Sequence, residues 1–229
     1  MGARPAAMIV FGTAVSDRAT YERVALPGIR LAAEADSVVL VEEGHDSIQR
    51  PYNLMMERAG GYDDLEALVL LHQDLELTDD SLPRRVRALL ADVRAGVVGS
   101  FGARDLTLHR WTETTDLHGT AALPGAERRF SSGPREVDVV DGSLLAIAPW
   151  AVRAVRFDEA LAESFHGYDI DLCQRIRAIG GRVICDDIPY VHHMAKRDDH
   201  DAVRRAGVDL AKMWDPELRP REWAAAFQR

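Results

Sequence analysis

The sequence has 229 residues, with 28 Lys and Arg against 37 Asp and Glu and a formal net charge of −9. That length allows one good-sized core and requires no second domain, and the acidic balance excludes a nucleic-acid backbone as the main partner, which calls for a basic footprint. No window approaches the roughly 18 to 20 uninterrupted apolar residues of a membrane span.

The start, MGARPAAMIVFG, carries only a short apolar run, better used as a first strand than as a signal-peptide core, so export is not expected. That strand, AMIVFGTAV, covers residues 7–15 and is followed by a helical segment over 17–34. SVVLV (37–41) reads as the second strand, and residues 47–59 as a helix with Ser47 as N-cap and Gly60-Gly61 as the stop. EALVLLH (66–72) is the third strand, followed by a helix over 79–94 and a strand AGVVGSFG over 95–102. Residues 104–135 break the alternation; the segment is rich in Gly, Pro, Thr and Arg and longer than an ordinary loop, and is read as a variable insertion facing the substrate, with His109, Trp111 and His118 as contacts, or as a disordered or dimer-contact element. VDVVDGSLLAIAP (137–149) and GRVICDDIPYVHH (181–193) are the remaining strands, with a helix opening at Asp169 between them and stopped by Gly180-Gly181. Trp214, Trp223 and Phe227 have helical spacing and predict a terminal helix packed on the body or on a second subunit, so a homodimer is entertained. Cys173 and Cys185 form no CxxC pair and imply no disulfide framework, and a cytoplasmic location is expected.

Alternating strands and helices predict right-handed βαβ units and an α/β fold with a mostly parallel central sheet flanked by helices. The whole chain, 1–229, is expected to be one domain in two halves, residues 1–103 and residues 136–229 with the tail. Ligands of such a sheet bind beyond the carboxyl ends of its strands. LVLLHQDLEL, residues 68–77, ends a buried strand on His72 and Asp74 at that edge, and PYVHHMAKR places His192 and His193 at the close of the last strand. Imidazole nitrogen and carboxylate oxygen together suit Mn²⁺ or a related ion, but adjacent histidines in a strand face opposite ways, so one of the two is expected at the site. Asp169 heads an apolar helical stripe of Leu172, Cys173 and Ile176, whereas Asp171 points the other way and is expected to make structural hydrogen bonds.

FDE (157–159) followed by YDIDLCQRIRAIGGRV (168–183) resembles the signature of family 2-type glycosyltransferases of the GT-A fold. HQD at a strand end, VDG before an apolar strand, FHGYDIDLC, VSDRATYERVALPGI and SIQRPYNLMMERA, in that family's order over nearly the whole chain, are similar to a small glycosyltransferase-like group that includes streptomycin-biosynthesis-type proteins. The resemblance implies a GT-A, Rossmann-like fold, with residues 1–103 as the nucleotide-sugar-binding half and 136–229 as the acceptor-binding half and tail. It also implies a divalent metal, Mn or Mg, held by Asp74 with His192 or His193. His72 stands where an aspartate usually contacts ribose or metal, and Asp169 matches the general base, with Tyr168 in place of the preceding glutamate. Gly12, Thr13 and Ala14 are expected to approach the nucleotide and Glu42 or Glu43 its base or ribose, while Asn53 is a donor-side candidate or simply a polar helix face. Asp141 and Gly142 read equally as an acceptor contact or a turn. Phe165, His166 and Tyr168 flank the base and suit an acceptor ring.

These assignments imply a metal-dependent transfer of a sugar from a nucleotide-diphosphate donor to a hydroxyl acceptor, with inversion. A metal-dependent phosphoesterase using water at the same site, and a non-catalytic nucleotide-sugar-binding protein, are the alternatives.

Overall fold

The structure, a computed structural model, describes residues 8–104, 114–161, 166–193, 210, 213 and 214. Met8–Val15 forms β1, and the predicted long helix after it is two short ones, α1 (Arg18–Arg23) and α2 (Ala25–Ala32). Pro27 causes the break: it has no N–H for the carbonyl one turn back, and its ring crowds that turn. The Asp17 side chain caps α1 by accepting from the Ala19 N–H. Val38–Glu43 is β2, and α3 spans Gln49–Gly60; Ser47 does not cap it, because the helix starts one residue beyond Ile48 without a side-chain cap. Leu65–Leu71 is β3, Leu75–Leu77 a short β4, Leu82–Leu90 α4 and Ala95–Gly99 β5.

Phe101–Ala103 (β6) leads into the segment read as an insertion, of which Leu117–Leu123 (β7) and Ala126–Arg129 (β8) form a hairpin. The stretch predicted as one strand over 137–149 is three, Arg135–Val137 (β9), Val139–Val140 (β10) and Leu144–Ile147 (β11). The Asp141 carboxylate accepts from the Ser143 N–H at 2.9 Å, a local turn that redirects the chain between sheets. Helix α5 is Pro149–Ala154, a 3-10 turn follows at Glu159–Leu161, and α6 is Tyr168–Ala178. The last predicted strand is also divided, into β12 (Arg182–Cys185) and β13 (Tyr190–His192), because Ile188 turns back onto the Asp186 carbonyl and Pro189 has no N–H for a ladder.

The central sheet has the order β2-β1-β3-β11-β5-β12-β9, in which β11 and β9 run against the other strands, so it is mostly parallel as expected. Alternate residues of its strands feed two cores. Ile9, Phe11, Val69 and Leu71 pack beneath Ile29 of α2 and Val86 of α4. Val10, Leu68 and Leu70 pack with Tyr52, Met55 and Met56 of α3, Val152 of α5 and Ile176 of α6. Burial of each such large apolar side chain contributes about 1.5–3 kcal/mol, which pins the register of β3 and hence the place where it ends. Smaller sheets, β10-β6-β7-β8 and β13-β4, cover that end. Among the described residues no helix is long and apolar enough to cross a membrane.

Candidate metal and proton-transfer site

The β3 run stops at Leu71 because the next residues leave the sheet in a tight turn. The His72 N–H still donates to the Ser143 carbonyl at 3.0 Å, and the His72 carbonyl accepts from the Leu75 N–H at 3.1 Å. Strand β4 then pairs antiparallel with β13, placing Leu75 opposite His192, and the His193 N–H donates to the Asp74 carbonyl at 2.7 Å. This short two-stranded pairing brings residues 120 positions apart together.

Three side chains converge there. His192 Nε2 lies 3.2 Å from Asp74 Oδ1 and 3.4 Å from His72 Nδ1, and one donor atom from each of His72, Asp74 and His192 falls within 4.8 Å of the others. His193 points away and meets Glu76 Oε2 at 2.8 Å, as alternation along a strand requires. Burial, and then the neighbouring His192, hold the His72 imidazole well below its ordinary value, so it is neutral at pH 7 with a lone pair to offer. Burial acts to raise Asp74, but its hydrogen bond with His192 and the imidazoles around it outweigh burial and hold the carboxyl below its ordinary value. Two imidazole nitrogens and one carboxylate are a donor set that fits a divalent cation such as Mn²⁺.

The other ring nitrogen of His72 leads to helix α6. Its Nε2 lies 2.6 Å from the Tyr168 hydroxyl, so the two positions that depart from the resembled pattern touch each other. Gly167, at φ +86°, turns the chain into α6 in a conformation that favours glycine. A Cβ on Gly142 would sit 2.2 Å from the Tyr168 oxygen, so the Asp-Gly turn leaves the space that the phenol fills. Next in the helix, Asp169 is buried; its Oδ2 accepts from the Gly142 N–H at 3.2 Å and its Oδ1 from the Ile170 N–H at 2.9 Å. Burial, reinforced by the charge of Asp141, pushes the Asp169 pKa up to about 7. Asp171 faces away as predicted, fully buried, bound to Arg175 Nε at 2.7 Å and to the Trp214 indole N–H at 3.1 Å.

On the opposite half the residues expected near the nucleotide have these surroundings. Gly12 is a packing residue: a Cβ there would meet Met55 Sδ at 2.6 Å and Leu70 Cδ2 at 2.8 Å. Thr13 is fully buried, with its hydroxyl unpartnered among the described residues, because the pleat turns it to the same face as Phe11 and Val15; Ala14 is partly buried. Glu42 is engaged by Arg58 at 3.1 Å and Glu43 by Arg18 at 3.2 Å. Asn53 clamps the Phe157 backbone, donating to its carbonyl at 3.0 Å and accepting from its N–H at 2.9 Å. His166 immediately precedes the Gly167 turn, His118 lies on β7 beside Asp116, and Trp111, His109 and Phe165 lie outside the described residues. One residue was not anticipated: Gln73 Oε1 accepts from the N–H groups of Ser16 and Asp17, both at 2.9 Å. An amide in a turn has no periodicity or spacing that would have flagged it.

Residues 10–205 match a glycosyltransferase-like family. The streptomycin biosynthesis protein StrF of Streptomyces griseus is 31% identical over 188 residues, 81% of this chain; the alignment spans 66% of that relative's length, just under two thirds. Among solved structures, GalNAc-T7 with UDP, GalNAc and Mn²⁺ superposes with a TM-score of 0.62 at 12% identity, over 92% of this chain and 48% of that one. A197 from STIV superposes with a TM-score of 0.50 at 11% identity, over 84% and 98%. At such identities the likeness is one of fold, and the fold is the GT-A type that the sequence motifs imply.

Proposed function

The chain belongs to the glycosyltransferase-like family, and we propose that it transfers a sugar from a nucleoside-diphosphate donor to a hydroxyl acceptor, with the aid of a divalent metal. The observation that carries this reading is the convergence of His72, Asp74 and His192 at the end of β3, joined through Tyr168 to the helix that bears Asp169. The Mn²⁺ and UDP bound by GalNAc-T7, a protein of the same fold, support the choice of ligands.

Asp74, His192 and His72 would hold Mn²⁺ or Mg²⁺, and such an ion supplies Lewis-acid stabilisation of the charge that develops on the departing diphosphate. Asp169 takes the proton of the acceptor hydroxyl as that oxygen bonds to the anomeric carbon and the bond to the diphosphate oxygen breaks; a single displacement inverts the anomeric centre. A base poised near neutrality suits that task and contributes about 10²–10⁴-fold. The Gly142 N–H orients the carboxylate, and Asp141, His166, Phe165 and Trp111 are assigned to the acceptor side.

Thermal unfolding with UDP, GDP, dTDP and ADP, each with and without Mn²⁺, tests the donor side. One nucleotide is expected to raise the midpoint only with metal, in the wild type and not in Asp74→Ala, since a ligand that binds the native state stabilises it by mass action. Product analysis then separates the alternatives: a transferase releases nucleoside diphosphate and a new glycoside, a phosphoesterase cleaves the pyrophosphate to monophosphates, and a binding protein turns nothing over. Absence of a shift with every nucleotide rejects the reading.

A further inference from the structure

We infer that Tyr168 is a positioning residue that fixes the His72 imidazole with its proton on Nε2, so that Nδ1 becomes the third protein ligand of the cation site; the inference rests on the metal-dependent reading above. A neutral imidazole has one N–H and one lone pair, and its neighbours decide which nitrogen has which. Here the two nitrogens face different worlds. Nε2 meets a single phenolic oxygen at 2.6 Å. Nδ1 faces the ligand cluster, 3.4 Å from His192 Nε2 and 4.0 Å from Asp74 Oδ1. With the proton on Nε2, donated to the Tyr168 oxygen, the lone pairs of His72 Nδ1 and His192 Nε2 point at the same small volume as the Asp74 carboxylate. A cation satisfies all three at once. With the proton on Nδ1 instead, His72 would present an N–H to that volume and exclude the ion.

Tyr168 is built to hold its place. Its ring is buried against Tyr52 and Phe157, with centroids 5.9 and 6.0 Å away, and Gly142 lacks the side chain that would displace its hydroxyl. His72 is anchored from its own backbone by the bond to Ser143 and the turn to Leu75. Both ends of the 2.6 Å contact are therefore fixed by the fold. A metal-bound histidine that donates its remote N–H to a fixed oxygen is oriented and made more basic by it, and loss of such a partner weakens metal binding.

The test is a double-mutant cycle read by Mn²⁺ affinity, from titration calorimetry or the free-ion EPR signal, on the full chain without substrates. Tyr168→Phe keeps the buried ring and is expected to leave the unfolding midpoint of the metal-free protein unchanged. It should weaken Mn²⁺ binding about tenfold to a hundredfold, and His72→Ala at least as much. His72→Asp supplies a carboxylate that has no tautomer to fix, so in that background adding Tyr168→Phe should change affinity by less than about twofold. Nitrogen-15 spectra of the Zn²⁺-loaded wild type should show His72 protonated at Nε2 and metal-bound at Nδ1. Unchanged Mn²⁺ affinity in Tyr168→Phe or His72→Ala overturns the inference while leaving a site built on Asp74 and His192. An equal loss in both backgrounds makes Tyr168 merely structural and also overturns it. A wild type that binds no Mn²⁺ rejects the metal-dependent reading itself, and the inference with it.

Discussion

The Gly142 backbone N–H donates to the Asp169 carboxylate across 3.2 Å, tying the turn between β10 and β11 to the first turn of α6. One carboxylate oxygen is thus held by a turn and the other by the Ile170 N–H, in a buried setting where the pKa reaches about 7 because of burial and the charge of Asp141. If Asp169 takes the acceptor proton, it works only when ionised. The rate, kcat/KM for the acceptor, is expected to rise with pH and level off above an inflection near 7. Asp169→Asn should lower it by about 10²–10⁴-fold and remove that inflection. Initial rates of nucleoside-diphosphate release across the pH range check both; an inflection that survives the substitution assigns the base elsewhere.

The same group leaves a signature in stability. Its folded pKa, about 7, lies above the ordinary 3.8, so between these values the folded state binds a proton that the unfolded state does not. The resulting stabilisation is complete below 3.8 and is lost as pH rises through about 7. Asp169→Asn has no such proton to lose. The difference in unfolding free energy between variant and wild type should therefore shift in favour of the variant from acid to neutral pH and flatten above 7. Denaturant unfolding at several pH values measures it, and a constant difference places Asp169 in a less costly environment.

His192 and His193 are neighbours in sequence with different partners in space. His192 Nε2 meets Asp74, and His193 Nε2 meets Glu76 on an open surface. Accordingly His192→Ala should abolish the metal-dependent rise in unfolding midpoint given by the donor nucleotide, whereas His193→Ala should leave it nearly intact, because an exposed pair contributes at most about 1 kcal/mol. Equal losses would mean that both imidazoles reach the ion.

Gly142 offers a separate handle on the link between the two halves of the site. A methyl group there would fall 2.2 Å from the Tyr168 oxygen. Gly142→Ala should destabilise the fold by about 1–3 kcal/mol, as overpacking does, and weaken Mn²⁺ binding as Tyr168 is pushed from His72. Urea unfolding and metal titration of the same preparation read the two effects; a variant that loses stability but keeps full Mn²⁺ affinity would separate Gly142 from the metal site.

The elements legible in the sequence were those whose signal is local. The apolar runs of β1, β3 and β5 and the head of α6 read directly from pattern, whereas α3 begins two residues beyond the expected cap Ser47. Asp74 and Asp169 stood out as carboxylates where a strand ended and a helix began. The division of residues 135–147 among three strands was invisible, because β-branched residues continue through the bends and the break depends on Asp141 folding back to the Ser143 N–H. Likewise the sequence does not announce that Met55 packs where a side chain on Gly12 would stand. The pairing of β4 with β13, which sets His192 beside Asp74 and His193 beside Glu76, joins distant segments by backbone hydrogen bonds that no residue type announces.

Gln73 is the residue for which sequence gave least and geometry gives most. It lies between His72 and Asp74, yet its side chain leaves the cluster and holds the end of β1: Oε1 accepts from the Ser16 and Asp17 N–H groups, and Nε2 donates to Ser16 Oγ at 3.0 Å. Asp17 in turn caps α1. The amide thus couples the turn that carries His72 and Asp74 to the corner after β1, at the carboxyl edge where a sheet of this kind receives its ligand. These bonds are near the surface, so water can replace them and Gln73→Ala should cost only about 0.5–1.5 kcal/mol of stability. Its larger effect is expected on the donor: with the corner loosened, the donor KM rises while kcat at saturating donor stays close to wild type, the pattern for loss of binding shared by ground and transition states. Gln73→Glu keeps the acceptor for the two N–H groups and should recover most of the donor affinity lost in the alanine variant. Steady-state kinetics with donor varied at fixed acceptor and Mn²⁺ decide the matter. An unchanged KM in Gln73→Ala would confine the amide to a structural role, whereas a fall in kcat alone would place it on the path of the chemical step.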